Sequence, residues 1–479
     1  MEKPGNKLYR WLCGINGILL SLYLYAVLLI YCFVNCGERL SAGQFACAAL
    51  ALLIGSCAAA PLMIRIARRV PAQRAKVEPR SCRLWFFGCF ILALAPFLFM
   101  LKLRYPGVFT GDSDVQYAQA VSGSYNDWHP VLHTLLAFTL PLKLTGVKGS
   151  IVLFQMIEFS LALAAMGCAM RRYGGRLWGF LPVLALVLYP QMLRLIIRPW
   201  KDNALAIAAV FLMVWALRID RTDGEWLKSR AHILLFSAFL TAATIFRHNA
   251  ILFTVPLLFG VCLYASRRQR IALVALFLVL LFLVKVPLYS ALDVEKPDRR
   301  QTELLGLPMT MIGNVVKEHP ESLDEETREF VYAYATQEEW EELYHCGDFN
   351  SIKFTRPKST VIEEAGAATV LRSAWKCLIA EPAASLRALF TLTGLVYSLN
   401  PLGALNLGLL LLILSRIDFR SARDRRRLFL VAPLLIHNFG TMFLLTGFDS
   451  RFFWLTFPTF PAVALLLLGK PRESTSPQS

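Results

Sequence analysis

Residues 105–135 read YPGVFTGDSDVQYAQAVSGSYNDWHPVLHTL. The stretch is a polar island in a largely apolar chain. Pro106-Gly107 opens it, Asp112-Ser113-Asp114 follows, and Asp127-Trp128-His129-Pro130 leads into its apolar end. An apolar run at 84–103, long enough to cross a bilayer, comes just before it. How the island is threaded decides which residues share a side of the membrane.

The whole chain sets the class. Of its 479 residues 56% are hydrophobic and 17% charged, and the mean hydropathy is +0.51. A soluble domain of this length would carry more charge and would lack repeated apolar runs of about 20 residues. The alternation of an outer-membrane barrel is absent. The reading is an all-α polytopic membrane protein with about 12 transmembrane helices. The spans fall at 11–34, 44–64, 84–103, 149–170, 177–197, 202–218, 231–246, 250–265, 271–292, 400–415, 428–446 and 452–468. Lys3, Lys7 and Arg10 precede a first apolar run too long for a cleaved leader, so that run is read as a retained span.

The net charge of +17 reads as positive-inside loops, with no nucleic-acid partner. The loop 65–83 carries seven basic residues against Glu78, and further basic clusters lie at 171–176, 218–230, 267–270, 416–427 and 470–472. All are cytoplasmic together only if an even number of crossings separates each pair. Three apolar segments (84–103, 129–147 and 149–170) lie between the first two clusters, so one of them does not cross. The segment 129–147 contains His129, Pro130, His133, Pro141 and Lys143 and is the poorest span. It is read as a surface helix, which makes 104–148 one large extracytoplasmic loop and puts both termini in the cytoplasm.

This threading divides the chain into 1–83, two spans and a basic loop; 84–292, a transmembrane core; 293–385, an acidic extracytoplasmic insert, mostly helical; and 386–479, the last spans and tail. Residues 293–381 hold 18 acidic and 10 basic residues, a net of −8 that leaves +25 for the rest. Most of the 11 cysteines lie in apolar runs as small hydrophobes, while Cys346 and Cys377 lie outside them and allow a disulfide.

One membrane face then collects a specific set of polar side chains. The island supplies Asp112, Asp114, Asp127, His129 and His133. Later outer turns supply Arg194, Arg198, Lys201 and Asp202 (RLIIRPWKDNAL), then Arg247, His248 and Asn249 (FRHNAI), then Asp449 and Arg451 (GFDSRFFWL). Each charge could pair or snorkel locally. Convergent Arg and Lys also suit a phosphate or pyrophosphate. The Asp112-x-Asp114 pair reads as a turn and helix cap, as a divalent-metal ligand pair, or as the source of a general base. His129 and His133 have zinc-compatible spacing, but Pro130 intervenes and no HExxH is completed. Trp128, Tyr117, Tyr125 and Trp200 read as interface-belt aromatics or as sugar platforms.

The YPG…DS..Q…HP pattern, with the later RPWKD and RFF steps, resembles the GT-C superfamily of integral-membrane glycosyltransferases. That superfamily includes the protein O-mannosyltransferases and the aminoarabinose transferases. The resemblance covers roughly 84–290 and 440–468. Two extra spans precede it, and the acidic insert matches no catalytic module. It implies transfer of a sugar from a polyprenyl-phosphate donor to an unknown extracytoplasmic acceptor, in a bacterial plasma membrane. It places an essential acid at Asp112 or Asp114, a His-Pro step at His129-Pro130, and a second acid at Asp202. The donor phosphate would be held by Arg198, Lys201, Arg247 and Arg451, with His248 and Asn249 nearby. No cofactor is required, or Mg or Mn sits at the Asp pair. The other readings are a transporter or flippase of a lipid-linked or anionic solute, and a non-catalytic scaffold. The charges Glu158 and Lys285, inside spans, fit neither the loops nor the site.

Overall fold

The computed structural model describes residues 14–69, 79–296, 301–355, 359–398 and 400–469. Both termini and the centre of the basic loop 65–83 lie outside the described residues. Helices dominate, and only two isolated β-bridges occur among the described residues. The chain is a multi-pass, all-α membrane protein in character. Eight helices are long and apolar enough to cross a membrane, or ten if each of two bent pairs is one span. Each of the 12 sequence-predicted spans falls on a helix. Those at 231–246, 250–265 and 400–415, however, form shorter apolar helices of 10–17 residues, and 177–197 is a pair bent by 67° at Tyr189-Pro190. Hydropathy counts apolar residues but does not register where Pro190 stops one helix and starts the next.

The segment 129–147 forms a helix, Val131–Thr145, also in the 10–17-residue class, with a π turn at Thr134–Thr139. It is shorter than the ~20 residues a crossing needs.

The chain divides into two compact units that are discontinuous in sequence. The first joins residues 1–68 to 298–415 and 438–450. Here the acidic insert is a folded helical body with its own core, built on Met309, Ile312, Phe330, Tyr334, Trp340, Tyr344 and Phe349. Its helices start where the sequence caps them. The Asp324 carboxylate accepts from Thr327 N at 3.3 Å, and Thr336 and Glu339 make a reciprocal capping box. Trp340 Nε1 donates to Val331 O (3.1 Å) and Tyr344 Oη to Thr310 O (2.5 Å), so both rings are buried without orphaned donors. Cys346 and Cys377 are both free thiols, correcting the proposed disulfide. Cys377 is buried in the insert core, whereas Cys346 lies against Thr391. The insert ends in an apolar pair, 360–380 and Pro382–Tyr397, bent by 119°. Glu363, Glu364, Arg372 and Lys376 hide that apolar character from a hydropathy reading.

The same unit carries the Ile15–Cys36 helix. Phe33 meets Phe390 edge-on, and Asn16 Nδ2 donates to Leu414 O at 2.8 Å. The Pro382–Tyr397 and Pro401–Arg416 helices thus both pack against it. Asn400 caps the break between them by accepting from Leu402 N and Gly403 N.

The second unit holds 69–297, 416–437 and 451–479. Its centre is the Lys201–Arg221 helix, buried along most of its length. Helices Gly149–Gly174 and Arg176–Leu188 approach closely at Gly167 and Gly179, where any Cβ would lie within 3 Å of the other glycine's carbonyl oxygen. Small residues permit this approach, and packing drives it in an apolar solvent.

Candidate functional site

The island's first turn is built by backbone constraints. Gly107 has φ +121°, and a Cβ there would lie 2.5 Å from Val152 Cγ2. Only glycine meets both conditions. Val108 N donates to Ile197 O at 2.9 Å, fastening the island to the 195–200 turn. The Ser113 hydroxyl accepts from Thr110 N at 2.7 Å and starts the Gly111–Ser122 helix. Two residues apart on a helix point to different faces. Asp112 is accordingly half-buried and turned toward Arg451, while Asp114 is exposed. The predicted pair does not converge. No group of three or more His, Cys, Asp or Glu suited to a metal ion occurs among the described residues.

The turn before Lys201 is held from below by two buried amides. Gln155 Nε2 donates to Ile196 O (2.8 Å) and Arg198 O (3.0 Å), and Asn203 Nδ2 to Leu195 O (2.8 Å) and Arg198 O (2.9 Å). Trp200 Nε1 donates to Thr110 Oγ1 at 3.0 Å. The Trp200 ring has the guanidinium groups of Arg198 and Arg451 each 5.0 Å from its centroid. It is thus a shared support for two cations.

Four separate parts of the chain meet here. Arg451 Nη1 donates to Asp112 Oδ2 at 3.1 Å. Lys201 Nζ lies 3.3 Å from His129 Nδ1. A lysine ammonium only donates, so Nδ1 accepts and the His129 ring carries its proton on Nε2. Arg247 pairs with Asp202, both buried, and lies 4.2 Å over the Phe452 ring. Its Nε donates to Asn249 Oδ1 at 3.0 Å, and Asn249 lies 3.5 Å from His437. The four cations Arg198, Lys201, Arg247 and Arg451 outnumber the two carboxylates Asp112 and Asp202, so the cluster favours an added anion.

This setting shifts protonation. Burial pushes the Asp112 carboxyl up, but Lys201, Arg451, His129 and Arg247 together hold it below the usual range. Burial, then Lys201, pushes His129 down to about 4. His133 goes down to about 3, chiefly through burial. It belongs to a different contact. Its Nδ1 lies 2.6 Å from Gln116 Oε1, which also accepts from Thr134 Oγ1 at 3.3 Å. The two histidines therefore face different partners, and His133 ties the Gly111–Ser122 helix to the next one.

A pH dependence follows. Below its ordinary pKa of about 6.5, His129 binds a proton in the unfolded chain but not in the folded one. Stability is therefore lost as pH falls from about 6.5 toward about 4, by an amount on the order of 1–3 kcal/mol for His129. The melting temperature of the purified protein should drop over that range, and less so in His129→Gln. Parallel losses in the two proteins would remove His129 as the responsible group.

Not every predicted residue joins the cluster. Arg194 is exposed. Asp127 instead accepts from Lys285 Nζ (3.2 Å to each oxygen) and Tyr289 Oη (2.7 Å). His248 is close enough to act electrostatically on His129, and it also lines a cavity with Leu281 and Lys285. Asp449 belongs to the other compact unit. Sequence reading quoted Gln116 and Phe452 only as parts of the DS..Q and RFF patterns and gave them no role, and it missed the supporting amides Gln155 and Asn203. Gln116 had a signal, since it stands one helical turn after Asp112.

No protein-family model, no curated protein and no solved structure matches the chain.

Proposed function

We propose that the protein is a membrane glycosyltransferase that moves a sugar from a polyprenyl-phosphate donor to an acceptor at the extracytoplasmic face. The observation that carries the reading is one half-buried carboxylate, Asp112, set among Arg451, Lys201 and Arg247 from three distant parts of the chain. A group-transfer site for a phosphate-activated sugar needs this combination of a base and a cationic cradle.

In this reading the Asp112 carboxylate takes the proton of the acceptor hydroxyl. The acceptor oxygen forms a bond to the anomeric carbon, and the bond from that carbon to the phosphate oxygen breaks. The phosphate leaves with the electron pair, neutralised by Arg451, Lys201, Arg247 and Arg198. Arg451 couples the two halves. While it bonds Asp112 the carboxylate is a weak base, and as it turns to the leaving phosphate Asp112 gains basicity. The same cations compete with a divalent ion for Asp112, so the reading takes no metal at the Asp pair. The threading that accompanies it is a bacterial plasma membrane with both termini cytoplasmic.

The test is reconstitution of the full-length protein with a panel of polyprenyl-phosphate sugars and envelope membranes lacking the protein as the acceptor source. Release of polyprenyl phosphate, coupled to label entering the acceptor fraction, is expected. Arg451→Gln should slow it by about 10²-fold. Absence of release across the panel overturns the reading. A chelator should leave the rate unchanged.

One observation favours a second reading, a transporter or flippase. Bent helices and a charge inside an apolar helix, Lys285, are features of transport pathways. Movement of the lipid-linked sugar between leaflets without cleavage of the phosphate–sugar bond would select it.

A further inference from the structure

Between the short helices Met442–Leu444 and Ser450–Phe453, residues 445–449 form no regular structure. Leu445, Thr446 and Gly447 are nonetheless buried. Buried irregular backbone has to find its hydrogen-bond partners outside itself. Here the acidic insert supplies them. Asn350 N donates to Thr446 O at 3.1 Å. The Asp348 carboxylate accepts from Asn350 N at 3.2 Å and from Phe448 N, so one side chain ties the two segments together. Two glycines permit the close approach. A Cβ at Gly306 would lie 2.6 Å from Thr446 Cα and 2.8 Å from Leu445 O, and one at Gly447 would lie 2.7 Å from Asn350 Nδ2. All of these residues belong to one compact unit.

Asp348 itself stands on a fixed base. Its backbone N donates to His345 O at 2.9 Å. Gly347 before it has φ +82°, and a Cβ there would lie 2.7 Å from Thr391 Cγ2. Gly347 N donates at 3.4 Å to the Tyr344 hydroxyl, which in turn donates to Thr310 O in the insert core. The insert core therefore sets the carboxylate, and the carboxylate sets the 445–449 turn. Arg451 stands four residues past Gly447. Four residues span at most about 14 Å, so the clamp limits where the Arg451 backbone can lie. The link is shortened further by Asp449 N, which donates to Gly447 O at 2.8 Å.

We propose that Asp348 is a positioning residue, through which the acidic insert fixes the 445–449 backbone and so holds Arg451 where it bonds Asp112. The insert is then part of the working machinery and not an appended docking module. Its kinetic consequence rests on the glycosyltransferase reading; the clamp itself does not. In that reading, loss of the clamp lets Arg451 leave the geometry from which it turns to the departing phosphate. Turnover falls, while donor binding persists through Arg198, Lys201 and Arg247.

The first measurement is amide hydrogen exchange of the purified full-length protein in nanodiscs. In Asp348→Ala, exchange should speed about tenfold in peptides covering 445–449 and 450–454. Peptides from the insert core, 309–316 and 330–340, should keep their protection. Asp348→Asn keeps an acceptor oxygen for Asn350 N and Phe448 N and should exchange as the wild type does. Unchanged exchange at 450–454, a general loosening of the insert, or failure of the asparagine to rescue overturns the proposal. The second measurement is sugar transfer. Asp348→Ala should lower kcat about tenfold with KM within about twofold, and should cost nothing further in an Arg451→Gln background. Independent, multiplicative losses in the double variant overturn the coupling to Arg451. Absence of transfer by the wild type would sink the transferase reading alone, because the exchange measurement still decides the clamp.

Discussion

Asp112→Asn is expected to lower sugar transfer by about 10²–10⁴-fold at matched protein levels, the usual worth of a general base. Asparagine keeps the size and one acceptor oxygen of Asp112, so the contact with Arg451 can survive while proton acceptance is lost. Asp114→Asn is the internal control. Its carboxylate is exposed and on another face of the Gly111–Ser122 helix, so its loss should change the rate by no more than about twofold. The assay is transfer of labelled sugar in reconstituted membranes. Full transfer by Asp112→Asn would remove Asp112 as the base. Equal losses in the two variants would mean that the first turn of the helix matters as a cap.

The largest expected stability loss lies far along the chain from the site. Asp220 is completely buried near the end of the Lys201–Arg221 helix. It accepts from Arg427 Nε at 2.9 Å and Nη2 at 3.3 Å, from Arg221 Nη1 at 3.2 Å and from Tyr264 Oη at 3.0 Å. Arg221 also donates to Leu465 O and Gly469 O. One carboxylate thus joins helices that are distant in sequence. Asp220→Ala removes the buried counter-charge of two guanidinium groups, leaving Arg221 its two carbonyls and Arg427 a 3.5 Å contact with Asp424, and should cost about 3–5 kcal/mol. The readout is the thermal unfolding midpoint of the detergent-solubilised protein, with the yield of monodisperse protein beside it. An unchanged midpoint would show that water satisfies Arg221 and Arg427 unaided.

This network also shows how far charge counting reaches. The clusters 218–230 and 416–427 read as cytoplasmic loop charge, which explains the excess of Arg and Lys. It does not explain Asp220, a buried acid that organises two of those arginines. Similarly, Lys285 has no place in a reading by spans and loops. The structure gives it Asp127 and Tyr289, and so removes Asp127 from the site to which the island assigned it.

By itself, the sequence determined the class of the protein, the positions of most of its apolar helices and the segments that bring polar groups to span ends. These follow from sums over neighbouring residues, since a bilayer-length apolar run or a turn at Pro-Gly is a local property. Only the tertiary structure decided which residues meet. It turned Asp112 inward and Asp114 outward, joined Asp112 to Arg451 across 339 residues, and parted His129 from His133. It also placed the N-terminal helices and the acidic insert in one compact unit. These are long-range pairings. Burial strengthens them by lowering the local dielectric, and no window of sequence contains both partners.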